Sequence, residues 1–201
     1  MWYRNVEVGM KKILVSSVIT MIIIVLVACG GKPKPNDYDW KVTAFEAVDQ
    51  DGQPFRTEQM KGKIWLVNFA FTSCTTVCPP MTFNLTEIQQ KLKEKGIEDV
   101  HILSFSVDPS IDTPAKIKEF LGKYKADTTH WRFVTGYSQA AIEKYSLEMF
   151  KSQVQKVEGD DQVIHTTSVF LVDQEGTVLT RYNGLEPPED KIVEDVKSLL
   201  E

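Results

Sequence analysis

The chain has 201 residues, 42% hydrophobic and 10% aromatic, with Gly at 11, Pro at 9 and three Cys. That composition suits a single domain with a real core and excludes a disordered chain, a collagen-like chain and a disulfide-framed miniprotein. The net charge is −5, and no basic run exceeds Lys11-Lys12, which argues against a surface that tracks nucleic-acid phosphates. An odd number of cysteines leaves one thiol that needs either a covalent fate or a reactive role.

The N-terminus accounts for one of the three. Lys11-Lys12 precedes an almost uninterrupted apolar run, residues 13–28, which is shorter than the about 20 residues a spanning helix needs. A basic start, a short apolar stretch and small residues at its end read as an export signal, predicted over residues 1–28. Leu26-Val27-Ala28-Cys29 resembles the lipobox of bacterial lipoproteins, which implies cleavage before Cys29 and lipid on its sulfur. The domain is then expected outside the cytoplasm, on the cell membrane. Met10 stands directly before Lys11, so Met1 and Met10 are both candidate starts. Residues 29–37, with Gly30-Gly31-Lys32-Pro33-Lys34-Pro35-Asn36, have the composition of a solvated tether, and the working domain is predicted over 38–201.

Along that domain strand and helix signals alternate. Residues 42–48 are β-prone, and Asp49-Gln50-Asp51-Gly52 supplies a turn before Phe55, so a small N-terminal hairpin is expected. Residues 64–71 are apolar almost throughout, as in a strand covered on both faces, and should be central. Met81, Leu85, Ile88 and Leu92 recur at helical spacing over 80–95, with Gly96 as the stop. Residues 100–107 form another apolar strand. Asp112-Thr113-Pro114 opens a helix to about Tyr124, with Pro at its first position. Then come a short strand at Phe133-Val134, a short helix over 138–145, a hairpin of 165–172 with 178–182, and a closing helix over 188–200. This order predicts an α/β fold of the thioredoxin-like sandwich type, a central mixed sheet flanked by helices. Its ligand side should be the carboxyl ends of the central strands.

The chemistry falls at such an end. Phe71-Thr72-Ser73-Cys74-Thr75-Thr76-Val77-Cys78-Pro79-Pro80 joins the central strand to the helix, placing both cysteines at or just before a helix N-terminus, where the helix dipole favours thiolate. If the segment were helical, a spacing of four would put the sulfurs on one face, within reach of a disulfide or of one shared metal. The pair alone says redox or metal without choosing. His165 opens a strand expected beside the cysteine-bearing one. Two thiolates and an imidazole form a soft donor set suited to Cu(I) and, with further ligands, to Cu(II). Zinc is compatible with the same ligand types, but its structural sites want a fourth protein ligand and none is evident. His101, inside a strand pattern, and His130, near a loop, read as ordinary structural histidines.

Three ordered motifs, residues 71–79, Ser106-Val107-Asp108-Pro109-Ser110-Ile111-Asp112-Thr113-Pro114 and His165-Thr166-Thr167-Ser168, resemble the Sco family (SCO1/SenC), copper-binding assembly factors of cytochrome c oxidase with a thioredoxin-like fold. The likeness spans roughly 38–201 and is nearest to the membrane-anchored lipoprotein form of Gram-positive bacteria. It implies that Cys74 and Cys78 are copper ligands and a redox-active disulfide pair, that His165 is the third ligand, and that Asp108 belongs to the surroundings of the metal. It implies a partner, subunit II of cytochrome c oxidase, whose dinuclear CuA site would be filled by copper delivery, by thiol-disulfide exchange on the target, or by both. A copper donor and a thiol-disulfide reductant would be further partners. Many members carry an acidic residue inside the Cys-x-x-x-Cys loop and another just before the histidine. This chain has Thr75-Thr76-Val77 and Ile164 there, so the family's charge near the metal does not carry over. The expected role is mainly that of a metallochaperone. The enzymatic alternative is a metal-independent thiol-disulfide oxidoreductase. Against it, the spacing is one residue longer than in thioredoxins and no Pro occurs over 159–185; a peroxiredoxin would want Thr or Ser where Phe71 stands.

Overall fold

The computed structural model describes residues 34–200 apart from Glu158 and Asp160. The expected leader 1–28, Cys29 and the start of the tether lie outside the described residues. Among the described residues no helix is long and apolar enough to cross a membrane.

Six strands form one sheet in the order β1 (Trp40–Lys41), β10 (Thr177–Asn183), β9 (Ser168–Val172), β4 (Ile64–Ala70), β5 (Val100–Ser106), β6 (Trp131–Val134). β4, β5 and β6 run parallel, while β9 is antiparallel to β4 and β10 to β9. Every residue of β4 is buried, so both faces of the sheet are covered at its centre, as the unbroken apolar pattern predicts. Four helices do the covering: α1 (Cys78–Glu94), α2 (Pro114–Lys123), α3 (Gln139–Phe150) and α4 (Glu189–Leu200). The mixed sheet with flanking helices is the expected fold class.

One polar device crosses the apolar centre. Asn68 of β4 is buried, and its Oδ1 accepts from Ser104 Oγ of β5 at 2.6 Å; the same hydroxyl accepts from Trp131 Nε1 of β6 at 2.9 Å. The chain of donors ties the three parallel strands in register without leaving a buried polar group unpaired.

The N-terminal hairpin is present as β2 (Glu46–Val48) with β3 (Pro54–Arg56), and Asp49 Oδ1 closes its turn by accepting from the N–H groups of Asp51 and Gln53. It also protects the sheet edge. Gln50 donates to Trp131 O and accepts from Phe133 N, both at 3.0 Å, and Val48 bridges Thr135, so β6 has few free backbone groups to offer a stray strand. A second small hairpin, β7 (Gln155–Lys156) with β8 (Val163–Ile164), has no counterpart in the sequence reading. Order extends into the predicted tether: the Thr180 hydroxyl bonds to Asp37, and Tyr38 N donates to Leu179 O at 2.9 Å.

Several boundaries move for local reasons. Helix α1 begins at Cys78 rather than Pro80, because Pro79 and Pro80 occupy first-turn positions where a missing N–H costs nothing. It ends as predicted, with Gly96 at φ +71 and the Ile97 N–H bonded back to Leu92 O. Helix α3 runs on to Phe150, with Ser138 as its N-cap. In α2 the cap is Thr113, whose side chain accepts from Lys116 N, which frees Asp112 for another task.

Candidate metal centre

The turn after β4 carries the cysteines to the carboxyl end of the central strand. Cys74 precedes the helix and Cys78 is its first residue, so the pair does not lie within one helix. Instead the Cys78 N–H, a helix-end donor with no partner inside the helix, reaches back to Cys74 Sγ at 3.4 Å. Both thiols are free. They differ in depth. Cys78 is fully buried, whereas Cys74 lines an open cavity of about 380 Å³ together with Phe71, Thr75, Thr76, Ile164 and His165.

Their protons divide accordingly. Cys74 is lowered to about 3, chiefly because the Cys78 thiol hydrogen-bonds to its sulfur; burial opposes this, and His165 and the N–H groups of Cys78 and Thr76 add to the lowering. Cys78 is pushed up, first by holding the proton it offers to Cys74, then by burial, with the nearby Asp112 charge contributing. The pair is poised as one thiolate above one thiol.

His165 arrives from the opposite side. It lies in the link between β8 and β9 rather than inside the strand, a correction to the predicted span 165–172. Its Nδ1 is 2.8 Å from Thr166 O. A carbonyl can only accept, so Nδ1 carries a proton and Nε2 is the nitrogen turned toward the cysteines. Nε2 sits 3.5 Å from Cys78 Sγ, and the ring stands edge-on to Phe71 at 5.7 Å. The two sulfurs and one ring nitrogen lie within 4.8 Å of one another. A histidine held by its other nitrogen on a backbone carbonyl is oriented as metal-ligating histidines usually are. The donor set and its spacing fit a soft metal ion.

The two carboxylates of the second motif take different partners. Asp108 is buried, and its Oδ1 accepts from Lys156 Nζ at 2.6 Å and from Ser110 Oγ at 2.8 Å. Lys156 belongs to β7, and its N–H bonds to Glu143 Oε1 of α3 at 3.0 Å. Asp108 therefore fastens the hairpin whose second strand leads into His165. Asp112 is the carboxylate bound to the cysteine turn: it accepts from Thr72 N (3.1 Å), Thr72 Oγ1 (2.6 Å) and Ser106 Oγ (2.6 Å). The sequence reading used Asp112 only as part of a cap and passed over Lys156. The signal available for Asp112 was its place two residues before a helix whose cap Thr113 could supply alone.

One glycine matters here. A Cβ on Gly184 would stand 2.6 Å from Thr167 O and 3.0 Å from Met81 of α1, so the loop after His165 and the cysteine helix approach through that position. Asn84 of α1 reinforces the contact by donating to Gly184 O and Leu185 O at 2.9 and 3.0 Å.

Comparison with known proteins agrees with this geometry. The family profile described as SCO1/SenC matches residues 34–201. The SCO1 protein homolog of Bacillus subtilis is 47% identical over 179 residues, 89% of this chain and 92% of that protein. The solved structure of BsSco, described as a member of the Sco family of cytochrome c oxidase assembly proteins with a disulfide switch, has a TM-score of 0.76 at 46% identity, covering 83% of this chain and 98% of that one. ScoI of Bradyrhizobium japonicum, solved with copper bound, has a TM-score of 0.67 at 29% identity, covering 79% of this chain and 99% of the other. By sequence, fold and the placement of its two thiols and imidazole, the chain belongs to the SCO1/SenC family.

Proposed function

We propose that the chain is a lipid-anchored, extracytoplasmic copper-binding protein that supports assembly of the dinuclear CuA site of cytochrome c oxidase subunit II. The observation that carries this reading is the convergence of Cys74 Sγ, Cys78 Sγ and a ring nitrogen of His165 within 4.8 Å at the mouth of an open cavity. Two thiolates and an imidazole favour Cu(I), and binding releases the Cys78 proton. Copper is here cargo: the cavity leaves Cys74 accessible to a donor or an acceptor, while Cys78 stays beneath it.

The same pair supports thiol-disulfide exchange. The Cys74 thiolate attacks one sulfur of a disulfide on the target, giving a mixed disulfide and releasing the target's other sulfur as thiolate. Cys78 then loses its proton and attacks Cys74 Sγ, which frees the second target thiolate. Two electrons pass to the target, and Cys74 and Cys78 end as a disulfide that a separate thiol reductant must reopen. While it is closed the metal has lost two ligands, so copper binding and the disulfide exclude each other. Lipid on Cys29 would hold the domain at the membrane face where subunit II presents its copper site.

Anaerobic copper titration of the reduced chain, beside His165→Ala and the Cys74→Ser/Cys78→Ser pair, tests the reading. One equivalent bound by the wild type, weakened in His165→Ala and lost in the double variant, is expected. Equal stoichiometry and affinity in all three would overturn it. A chain that reduces disulfides but binds no copper would instead favour the metal-independent oxidoreductase, for which the low Cys74 pKa is the supporting observation.

A further inference from the structure

The parallel strands place a second group of ligands at the other end of the sheet. Asp99 immediately precedes β5, His101 is its second residue, and His130 immediately precedes β6. These are the amino ends of strands whose carboxyl ends serve the cysteine site. A seven-residue strand is about 23 Å long, so the two groups share no residue and no cavity.

His101 and His130, which read from the sequence as unrelated structural histidines, stand side by side with ring centroids 4.9 Å apart. His101 Nε2 is 3.1 Å from Asp99 Oδ1. One carboxylate oxygen and one nitrogen from each ring all lie within 4.8 Å of one another. His101 is 12% exposed and Asp99 75%, so the group is rooted in the fold and open on one side. His130 Nδ1 is buried and has no hydrogen-bond partner, an arrangement that costs about 1–3 kcal/mol unless something satisfies it. His130 also lines a cavity of about 260 Å³ with Glu98 and Asp127, whose carboxylates favour a cation, and with Lys93, which opposes one; Lys63 also acts against positive charge at His101.

We propose that Asp99, His101 and His130 form a second metal site, for a divalent ion of borderline character such as Cu(II) or Zn(II), with water completing its shell. Two imidazoles and a carboxylate make an N/O set, which ranks Cu(II) above Zn(II) and does not select Cu(I). A tetrahedral ion with bonds near 2.0–2.2 Å wants its ligand atoms about 3.4 Å apart. Asp99 and His101, 3.1 Å apart, already lie close to that spacing, so the site closes by a shift of about 1.4 Å or less at its widest separation. The site contains no thiol, so oxidation of Cys74 and Cys78 leaves its ligands intact. The chain would thus hold a soft ion at one end of the sheet under reducing conditions and a borderline ion at the other under any.

The test is Cu(II) and Zn(II) titration of the full chain in a Cys74→Ser/Cys78→Ser/His165→Ala background, followed by calorimetry and, for Cu(II), by electron paramagnetic resonance. One equivalent of each ion is expected, Cu(II) the tighter, with nitrogen hyperfine structure and no thiolate charge-transfer band. Adding Asp99→Asn, an exposed change that spares the fold, should weaken both ions by at least about tenfold. His130→Gln should abolish the site with the urea midpoint retained. Absence of stoichiometric binding in the triple variant overturns the proposal. So does binding that Asp99→Asn leaves unchanged, because the ion is then held elsewhere, whatever His130→Gln does.

Discussion

The cysteine turn and the histidine arm meet at one point but are held by different means. The turn is fixed by its neighbours in sequence, between the end of a fully buried strand and the first residue of a helix, with Asp112 bonded to Thr72. The arm is fixed from a distance, through a hairpin tied to α3 by Glu143 and to the β5–α2 loop by the Lys156–Asp108 pair, 48 residues apart in sequence. Local geometry sets the protonation of the thiols, and long-range charge sets whether the imidazole reaches them. The two can therefore be perturbed separately.

The largest effect should come from acid acting on the turn. The Cys74 thiol, which titrates near 9.0 when unperturbed, is lowered to about 3 in the fold. A group whose folded pKa is depressed contributes stability that is fully present above about pH 9 and lost as pH falls through about 3. Cys78 is shifted the opposite way, so its own contribution is lost as pH rises above about 9. Between pH 8 and pH 5 an ordinary thiol loses about 10³-fold in thiolate, while folded Cys74 keeps its own. Alkylation of the reduced native chain by iodoacetamide should change less than about twofold across that range, and that of the urea-unfolded chain should fall about 10³-fold. A native rate that drops tenfold per pH unit below 8 would show that the turn does not hold a thiolate.

Next in size is the arm. Lys156→Met leaves Asp108, 1% exposed, without its cation. Breaking a buried pair costs about 3–5 kcal/mol, and because the Lys156 side chain is 28% exposed, water can take part of its place; a loss of about 2–3 kcal/mol in urea unfolding is expected. Copper affinity should fall about tenfold through looser placement of His165, with the alkylation rate of Cys74 unchanged. Adding Asp108→Asn should restore much of the stability. If the alkylation rate moves as far as the affinity, the two halves of the site are mechanically one.

What could be read in the sequence follows the same division. The apolar run of β4, the stripe Met81, Leu85, Ile88 and Leu92, and the proline-marked helix starts gave the elements because each signal is local. Both cysteines and His165 were legible because a strand-end position and a soft donor set restrict the chemistry. The β7–β8 hairpin was not, since two-residue strands carry no period. Nor were the roles of Asp108 and Asp112, because which carboxylate meets Lys156 and which meets Thr72 depends on loops packed from four separate elements. Asp99, His101 and His130 show the same limit: 31 residues separate Asp99 from His130, and only the pairing of β5 with β6 brings them together.

The smallest effect, and the most discriminating, concerns Asp112. Burial raises its pKa, against the hydrogen bonds from Ser106 and Thr72 that lower it. A carboxyl whose folded pKa is raised contributes stability below its unfolded pKa and loses it as pH rises through the folded one, so at neutral pH the ionised group is a cost rather than a gain. Asp112→Asn removes that cost while keeping an acceptor for Thr72, and Ser106 can turn its hydroxyl to accept from the new amide. Stability at pH 7 should therefore stay within about 1 kcal/mol of the wild type. Asp112→Ala offers Thr72 and Ser106 nothing, and should cost about 1–3 kcal/mol for each buried polar group left unpaired. The asparagine also takes a negative charge away from Cys78, so its second-step alkylation at high pH should become faster. Equal losses of stability for the two variants would mean that the turn needs the charged acceptor itself, so that a neutral amide oxygen cannot replace the carboxylate in the hydrogen bonds from Thr72 and Ser106.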